Sequence, residues 1–201
     1  MIKIYHVPGT RSLRVIWLCE ELGLPYEVET ISFSQEFRAS PAWRELNPVG
    51  KVPVLRDGDL VLFESGAMVQ YILNRYADGK LQPPAQTREH ALYLQWAWFA
   101  EATFARPLGE IVNHRRVFPE HLQSNIVIEE MQDRARLCLK AVDQAIEDKH
   151  YIAGDFSAAD IMLGYSLLLC EKLAPTDGYS CVNSYWQRLQ QRPAFQAAII
   201  V

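Results

Sequence analysis

Long apolar runs are missing from this sequence: no stretch approaches the roughly 20 residues that a helix needs to span a bilayer. The longest candidate, Ser166-Leu167-Leu168-Leu169-Cys170, is short and meets Glu171. The opening MIKIYHVPGT has one lysine and a brief apolar run broken by Pro8 and Gly9, which is neither a secretory nor a transit signal. A cytoplasmic protein without membrane association is expected. Cysteine is scarce. Cys19, Cys138, Cys170 and Cys181 form no C-x-x-C pair, and no histidine stands at zinc-ligand spacing, so no metal site is expected. They read as reduced thiols packed as small apolar residues. Basic charge is not in excess. Lys plus Arg is 20 and Asp plus Glu is 24, a net charge of −4, and the arginines are scattered. That excludes the electrostatic footprint of a nucleic-acid binder, and an anionic ligand must be held by a local site. No internal repeat occurs.

What is present is apolar content of 49% over 201 residues, enough for one large or two small cores. The first 78 residues mix two periodicities. Residues 2–7 read as a strand rich in β-branched and aromatic side chains. Residues 14–22 read as a helix, with Val15, Leu18 and Leu22 on one stripe, ended by Gly23 and Pro25. Residues 26–31 read as a second strand, giving a βαβ unit and a parallel pair. Residues 35–46 suggest a loop with short irregular helix. Residues 52–55 and 60–63 are short strands around the turn sequence Arg56-Asp57-Gly58-Asp59, and 65–76 is a helix. Residues 79–86, with Pro83-Pro84, read as a linker. From 87 to 201 the pattern is helical only: 87–112, 120–146, 157–173 and 185–191, an all-α bundle.

Two segments carry candidate chemistry. In Asn47-Pro48-Val49-Gly50-Lys51-Val52-Pro53-Val54, Pro53 cannot donate to a ladder and belongs at a strand start or edge. With a cis Val52–Pro53 bond the turn would offer the Val52 backbone to an extended peptide; otherwise it is an ordinary loop with two prolines. In Phe63-Glu64-Ser65-Gly66-Ala67 a strand runs into a helix. Ser65 at the helix N-terminus could take a carboxylate, with Glu64 taking an ammonium, or Ser65 is a plain N-cap.

With the βαβ opening, these segments resemble the glutathione S-transferase superfamily, in its bacterial theta-, beta- and nu-like forms. Tyr5 to Val15 is similar to the first strand and active-site turn of that superfamily. Glu20 to Glu27 is similar to the close of its first helix. Asn47 to Val54 is similar to its cis-proline loop, and Glu64 to Ala67 to its γ-glutamyl site. Tyr151 to Asp160 resembles its turn into a buried helix, where Ser157 and Asp160 have capping-box spacing and a structural role.

The resemblance implies an α/β thioredoxin-like N-terminal domain (1–78), a linker (79–86) and an all-helical C-terminal domain (87–201). It implies a cytoplasmic detoxifying transferase, usually a homodimer, with glutathione as co-substrate and a hydrophobic electrophilic small molecule as partner. Glutathione would pair with Val52 beside Pro53, meet Glu64 and Ser65 with its γ-glutamyl group, and reach Lys51 with its glycyl carboxylate. The chemistry needs a thiolate, which a donated hydrogen bond stabilises. The theta-type serine would fall on Gly9 and the beta-type cysteine on Arg11, so both hallmarks are replaced. Ser12 is the first candidate donor, then Thr10, then Tyr5, with Arg11 assisting by charge. Trp96, Trp98, Phe99 and Phe104 crowd one helix as core, dimer interface or pocket, and Phe104 and His114 are the candidates for the second substrate. Alternatives are a glutathione-dependent peroxidase or disulfide reductase, or a non-catalytic glutathione-binding protein of the same fold. An isomerase of maleyl compounds is disfavoured, because its Ser-Ser-Cys-type turn is absent. An RNA-polymerase-associated protein of the fold would not need the Glu64-Ser65 pair.

Overall fold

A computed structural model describes residues 1–174 and 177–201. They form two compact units, Met1–Leu81 with Gln191–Val201, and Gln82–Gln190. No helix among the described residues is long and apolar enough to cross a membrane.

The first unit opens with β1 (Ile2–His6), α1 (Ser12–Leu22) and β2 (Tyr26–Thr30). Gly23 closes α1 in the left-handed region at φ 62°, where a side chain would be strained, and its N–H returns to the carbonyls of Cys19 and Glu20. Residues 35–46, read as largely loop, are two short helices, α2 (Gln35–Ala39) and α3 (Pro41–Leu46). Ser34 and Ser40 cap them by accepting from the N–H groups of Phe37 and Trp43. Side-chain caps stabilise helices too short to announce themselves by periodicity. Strands β3 (Val54–Asp57) and β4 (Leu60–Phe63) and helix α4 (Ser65–Tyr76) complete the unit's βαβ–ββα order.

The sheet order is β2-β1-β3-β4, with β1 parallel to β2 and the other pairs antiparallel. Successive side chains alternate between its faces. Tyr5 and Val54 bury one face against Trp43, with Phe37, Leu46 and Ile31 around them. Helix α1 contributes the fully buried Ile16, Trp17 and Leu18 to the unit's core, and α4 contributes Met68 and Ile72.

One segment departs from the sequence reading, which grouped 87–201 together. Helix α10 (Pro193–Ile199) packs on α1 and belongs to the first unit. Phe195 meets Trp17 edge-on at 4.8 Å. Arg192 donates to both carboxylate oxygens of Glu21 at 2.6 and 2.7 Å, and Trp17 Nε1 donates to the same carboxylate at 2.8 Å. Seven residues are too few for a periodicity to be read; Pro193 at the first helical position is the local signal.

The second unit contains α5 (Arg88–Trp98), a π-helical turn (Phe99–Phe104), α6 (Ala105–Val117), a 3₁₀ turn (Glu120–Leu122), α7 (Asn125–Ile146), α8 (Ala158–Leu173) and α9 (Ser180–Gln190). The continuous helix read over 87–112 is interrupted because Pro107 has no N–H to give to the carbonyl of Thr103. The Cys138 thiol approaches that carbonyl instead at 3.9 Å, and Ser166 Oγ donates to the Ala100 carbonyl at 3.2 Å. Helix α8 is the unit's buried axis and starts with the capping box of Ser157 and Asp160. The Asp160 carboxylate also accepts from Ile152 N–H at 2.9 Å and Tyr185 O–H at 2.6 Å. Burial raises the Asp160 pKa against these bonds.

Candidate functional site

The strand register gathers the candidate segments at one end of the sheet. Tyr5 faces Val54, and Val54 faces Phe63. The turn leaving β1 (7–11), the loop entering β3 (47–53) and the Glu64-Ser65 junction leaving β4 are therefore neighbours across adjacent strands.

The loop entering β3 is built around a buried asparagine. Asn47 Nδ2 donates to the Lys51 carbonyl at 2.9 Å, and its Oδ1 accepts from Val49 N–H at 3.1 Å. Its backbone carbonyl accepts from Gly50 N–H at 2.9 Å. Gly50 stands at φ 63°, and a Cβ there would lie 2.5 Å from the Arg38 carbonyl oxygen, so the loop requires glycine. The Val52–Pro53 bond is cis. Among the described residues, no hydrogen bond engages the Val52 backbone. Lys51 is exposed next to it.

At the β4–α4 junction, Glu64 is exposed at φ 76°, and Ser65 is the first residue of α4. The Ser65 hydroxyl is buried and accepts from Arg14 NH1 at 3.2 Å. Arg14 is itself fully buried, so a guanidinium stands behind the N-terminus of α4 and adds to its positive potential. The sequence reading did not include Arg14. Its signal was a charged residue inside the apolar run Leu13-Arg14-Val15-Ile16, where burial demands a partner.

The turn after β1 holds a chain of polar side chains. Thr10 Oγ1 donates to the Val7 carbonyl at 2.7 Å and lies 2.8 Å from Ser12 Oγ. Ser12 Oγ lies 2.7 Å from His6 Nδ1. Ser12 and His6 are buried, while Thr10 and Arg11 are half-buried. Burial lowers the pKa of His6, and the nearby Val201 backbone offsets this in part. His6 also escaped the sequence reading; an imidazole ending a buried strand was its signal. Tyr5 is placed elsewhere. Strand alternation turns it from His6 to the opposite face, where its ring meets Trp43 edge-on at 5.6 Å. That packing separates Tyr5 from the Thr10–Ser12 pair.

Of the residues named for a second substrate, Phe104 is fully buried against Phe99, with ring centroids 6.1 Å apart. The reason is its place at the end of the π turn, facing the core of its own unit. His114 instead lines a cavity of about 330 Å³ between α6 and α7, with Phe118, Val127 and Met131. Its Nε2 accepts from Ser124 N–H at 2.9 Å. The cysteines take no part in the turn. Burial pushes Cys19 up to about 12 and Cys138 up to about 11, and raises Cys170 as well.

A βαβ–ββα unit with a cis-proline loop at the sheet end, accompanied by a separate helical unit, defines a thioredoxin-like ligand-binding protein with a helical extension. Comparison with known proteins narrows this class. Residues 1–74 match the family model described as the glutathione S-transferase N-terminal domain. Glutathione S-transferase 4 of Zea mays is 30% identical over 188 residues, covering 90% of this chain and 83% of the relative. Glutathione S-transferase 3 of Schizosaccharomyces pombe is 25% identical over 210 residues, covering 98% and 86%. The crystal structure of the theta class glutathione S-transferase of Xanthomonas axonopodis pv. citri, with glutathione bound, superposes with a TM-score of 0.85. It is 29% identical and covers 100% of this chain and 97% of the other. The chain belongs to the glutathione S-transferase family of enzymes and has its fold.

Proposed function

We propose that the protein binds glutathione along the sheet end of its first unit, stabilises the thiolate beside α1, and directs it at a small apolar electrophile. The observation that carries this reading is the convergence of three features across adjacent strands: an unengaged Val52 backbone, an α4 N-terminus backed by Arg14, and a hydroxyl turn. The cysteinyl backbone of glutathione pairs with Val52 as an added strand residue. The γ-glutamyl carboxylate takes the Ser65 N–H at the helix terminus and the proton of the Ser65 hydroxyl, whose oxygen Arg14 holds. Glu64 takes the ammonium, and Lys51 pairs with the glycyl carboxylate.

Burial reorders the candidate donors. Ser12 is enclosed, so its hydroxyl acts through Thr10, whose half-buried side chain offers the hydrogen bond to sulfur. Arg11 adds positive charge at the start of α1. The thiol loses its proton to solvent. The sulfur lone pair forms a bond to the electrophilic carbon, and the displaced group leaves with its electron pair or, in an addition, the acceptor takes a proton. The absence of a cysteine from the turn favours this reading over a disulfide reductase working through a protein thiol. For the second substrate we assign His114 and its cavity rather than Phe104. Exposed Trp98, Ile126 and Leu137 on the helical unit support self-association as a homodimer.

The test is ultraviolet titration of the bound thiolate. The wild-type thiol should titrate below the free value of about 8.5. Thr10→Ala should raise it by about one unit, the loss of one charge-assisted hydrogen bond. Equal values in wild type and Thr10→Ala would remove Thr10 from the mechanism. Calorimetry that detects no glutathione binding would remove the function itself.

A further inference from the structure

Counting protons along the β1 turn leads to a residue outside the glutathione contacts. The Val7 carbonyl lies 2.7 Å from Thr10 Oγ1 and 3.2 Å from Thr10 N. A carbonyl has no proton, so the one hydroxyl proton of Thr10 lies between Thr10 and Val7. The 2.8 Å contact between Thr10 Oγ1 and Ser12 Oγ must then be supplied by the proton of Ser12. With that proton committed, the 2.7 Å contact between Ser12 Oγ and His6 Nδ1 requires a proton on His6 Nδ1. The reverse direction would leave two oxygens 2.7 Å apart at Val7 with no hydrogen between them.

We infer that His6 is a positioning residue: its Nδ1–H fixes a one-way chain through Ser12 to Thr10, so that the terminal Thr10 proton is the one offered to an anion at the turn. This rests on the proposed function, since the anion meant is the glutathione thiolate. Ser12 cannot give its proton to His6 while Nδ1 carries a hydrogen, because the ring then presents no lone pair to it. Its other acceptor, the Val7 carbonyl, lies at 3.4 Å against 2.8 Å to Thr10 Oγ1, so the Ser12 proton stays directed at Thr10 and Thr10 does not turn its own proton inward. Among the described residues its competing acceptor is the Val7 carbonyl, which already holds the Thr10 N–H, and a thiolate is the stronger acceptor. Chains of this kind also polarise each member in the same sense. Burial keeps the ring neutral near neutral pH, so the donor acts without placing a charge in the core.

Two measurements on the full chain decide the matter. Long-range proton–nitrogen NMR of the ligand-free protein should show His6 as the Nδ1–H tautomer; the Nε2–H tautomer overturns the inference whether or not glutathione binds. In titration of the bound thiolate, His6→Leu should raise the thiol pKa by about one unit, tenfold less thiolate below it, as Thr10→Ala does. His6→Asn, whose amide N–H replaces the Nδ1 donor, should stay near wild type. The double variant Thr10→Ala, His6→Leu should show no further rise. Equal rises in His6→Leu and His6→Asn, or none in either, would reduce His6 to packing. Should His6→Leu not fold, the tautomer and the Asn variant still decide. Failure of glutathione to bind wild type would sink the function while leaving the tautomer result standing.

Discussion

Removing the Asn47 side chain tests whether the loop proposed to meet glutathione is preorganised. Asn47→Ala deletes two neutral hydrogen bonds, to the Lys51 carbonyl and from the Val49 N–H, inside a loop where Asn47 is buried. Each such bond contributes about 1 kcal/mol net, so the ordered loop loses about 2 kcal/mol. If glutathione binds only the ordered loop, binding must supply that reordering, and affinity should weaken by up to about 30-fold. Asn47→Asp should be at least as damaging. It keeps an acceptor for Val49 but turns a carboxylate oxygen towards the Lys51 carbonyl. Isothermal titration calorimetry with glutathione gives the affinities, and urea unfolding gives the stability change alongside. An Asn47→Ala variant that loses stability yet binds within twofold of wild type would refute the reasoning, because the loop would then hold its ligand without the tie.

Gly50→Ala should be destabilised by more than about 2 kcal/mol in urea unfolding, since left-handed backbone costs a side chain about 1–2 kcal/mol and the Cβ would also collide with the Arg38 carbonyl. Arg192→Ala removes two of the hydrogen bonds to the buried Glu21 carboxylate, keeps the one from Trp17, and should cost about 2–3 kcal/mol; hydrogen exchange should show α10 released first. Asp57 titrates below its ordinary 3.8, chiefly because the Tyr76 hydroxyl donates to its carboxylate, with Tyr71 donating at 2.9 Å. A depressed carboxyl pKa contributes stability that is present above the unfolded value and lost as pH falls through the folded one. Tyr76→Phe should therefore flatten the acid limb of the stability curve below about pH 4, measured by thermal unfolding against pH.

The βαβ–ββα order was legible because each of its elements carries a local signal. Gly23 and Pro25 end α1, and the strands flank an Asp57-Gly58 turn. The capping box of α8 could likewise be read from Ser157 and Asp160 alone, since its two partners stand three residues apart. The break in the α5–α6 segment had a signal in Pro107, which stopped short of specifying a π turn. Where the freed Thr103 carbonyl goes depends on Cys138, far along the chain, and the Ala100 carbonyl takes Ser166 as a second donor beside the Ala105 N–H. Helix α10 was missed for the same reason: Trp17, Glu21, Arg192 and Phe195 explain one another only once the ends of the chain meet.

The site divides along the same line. The residues proposed to present backbone or charge to glutathione lie in contiguous motifs, so Lys51, Val52, Pro53, Glu64 and Ser65 could be nominated from sequence. The side chains packed behind those groups form no motif with them. Arg14 reaches Ser65 across 51 positions, and His6 reaches Ser12 across a turn whose hydroxyl register a sequence leaves open. What marks both is a mismatch between residue type and surroundings. A guanidinium in a fully buried helix face and an imidazole at a buried strand end each cost free energy unless a partner compensates. In this chain those costly placements stand directly behind the two places where the proposed function holds negative charge, the α4 N-terminus and the β1 turn. The buried polar residues thus point to the same end of the sheet as the motifs do, through energetics that His6→Leu would expose and the donor-conserving His6→Asn would not.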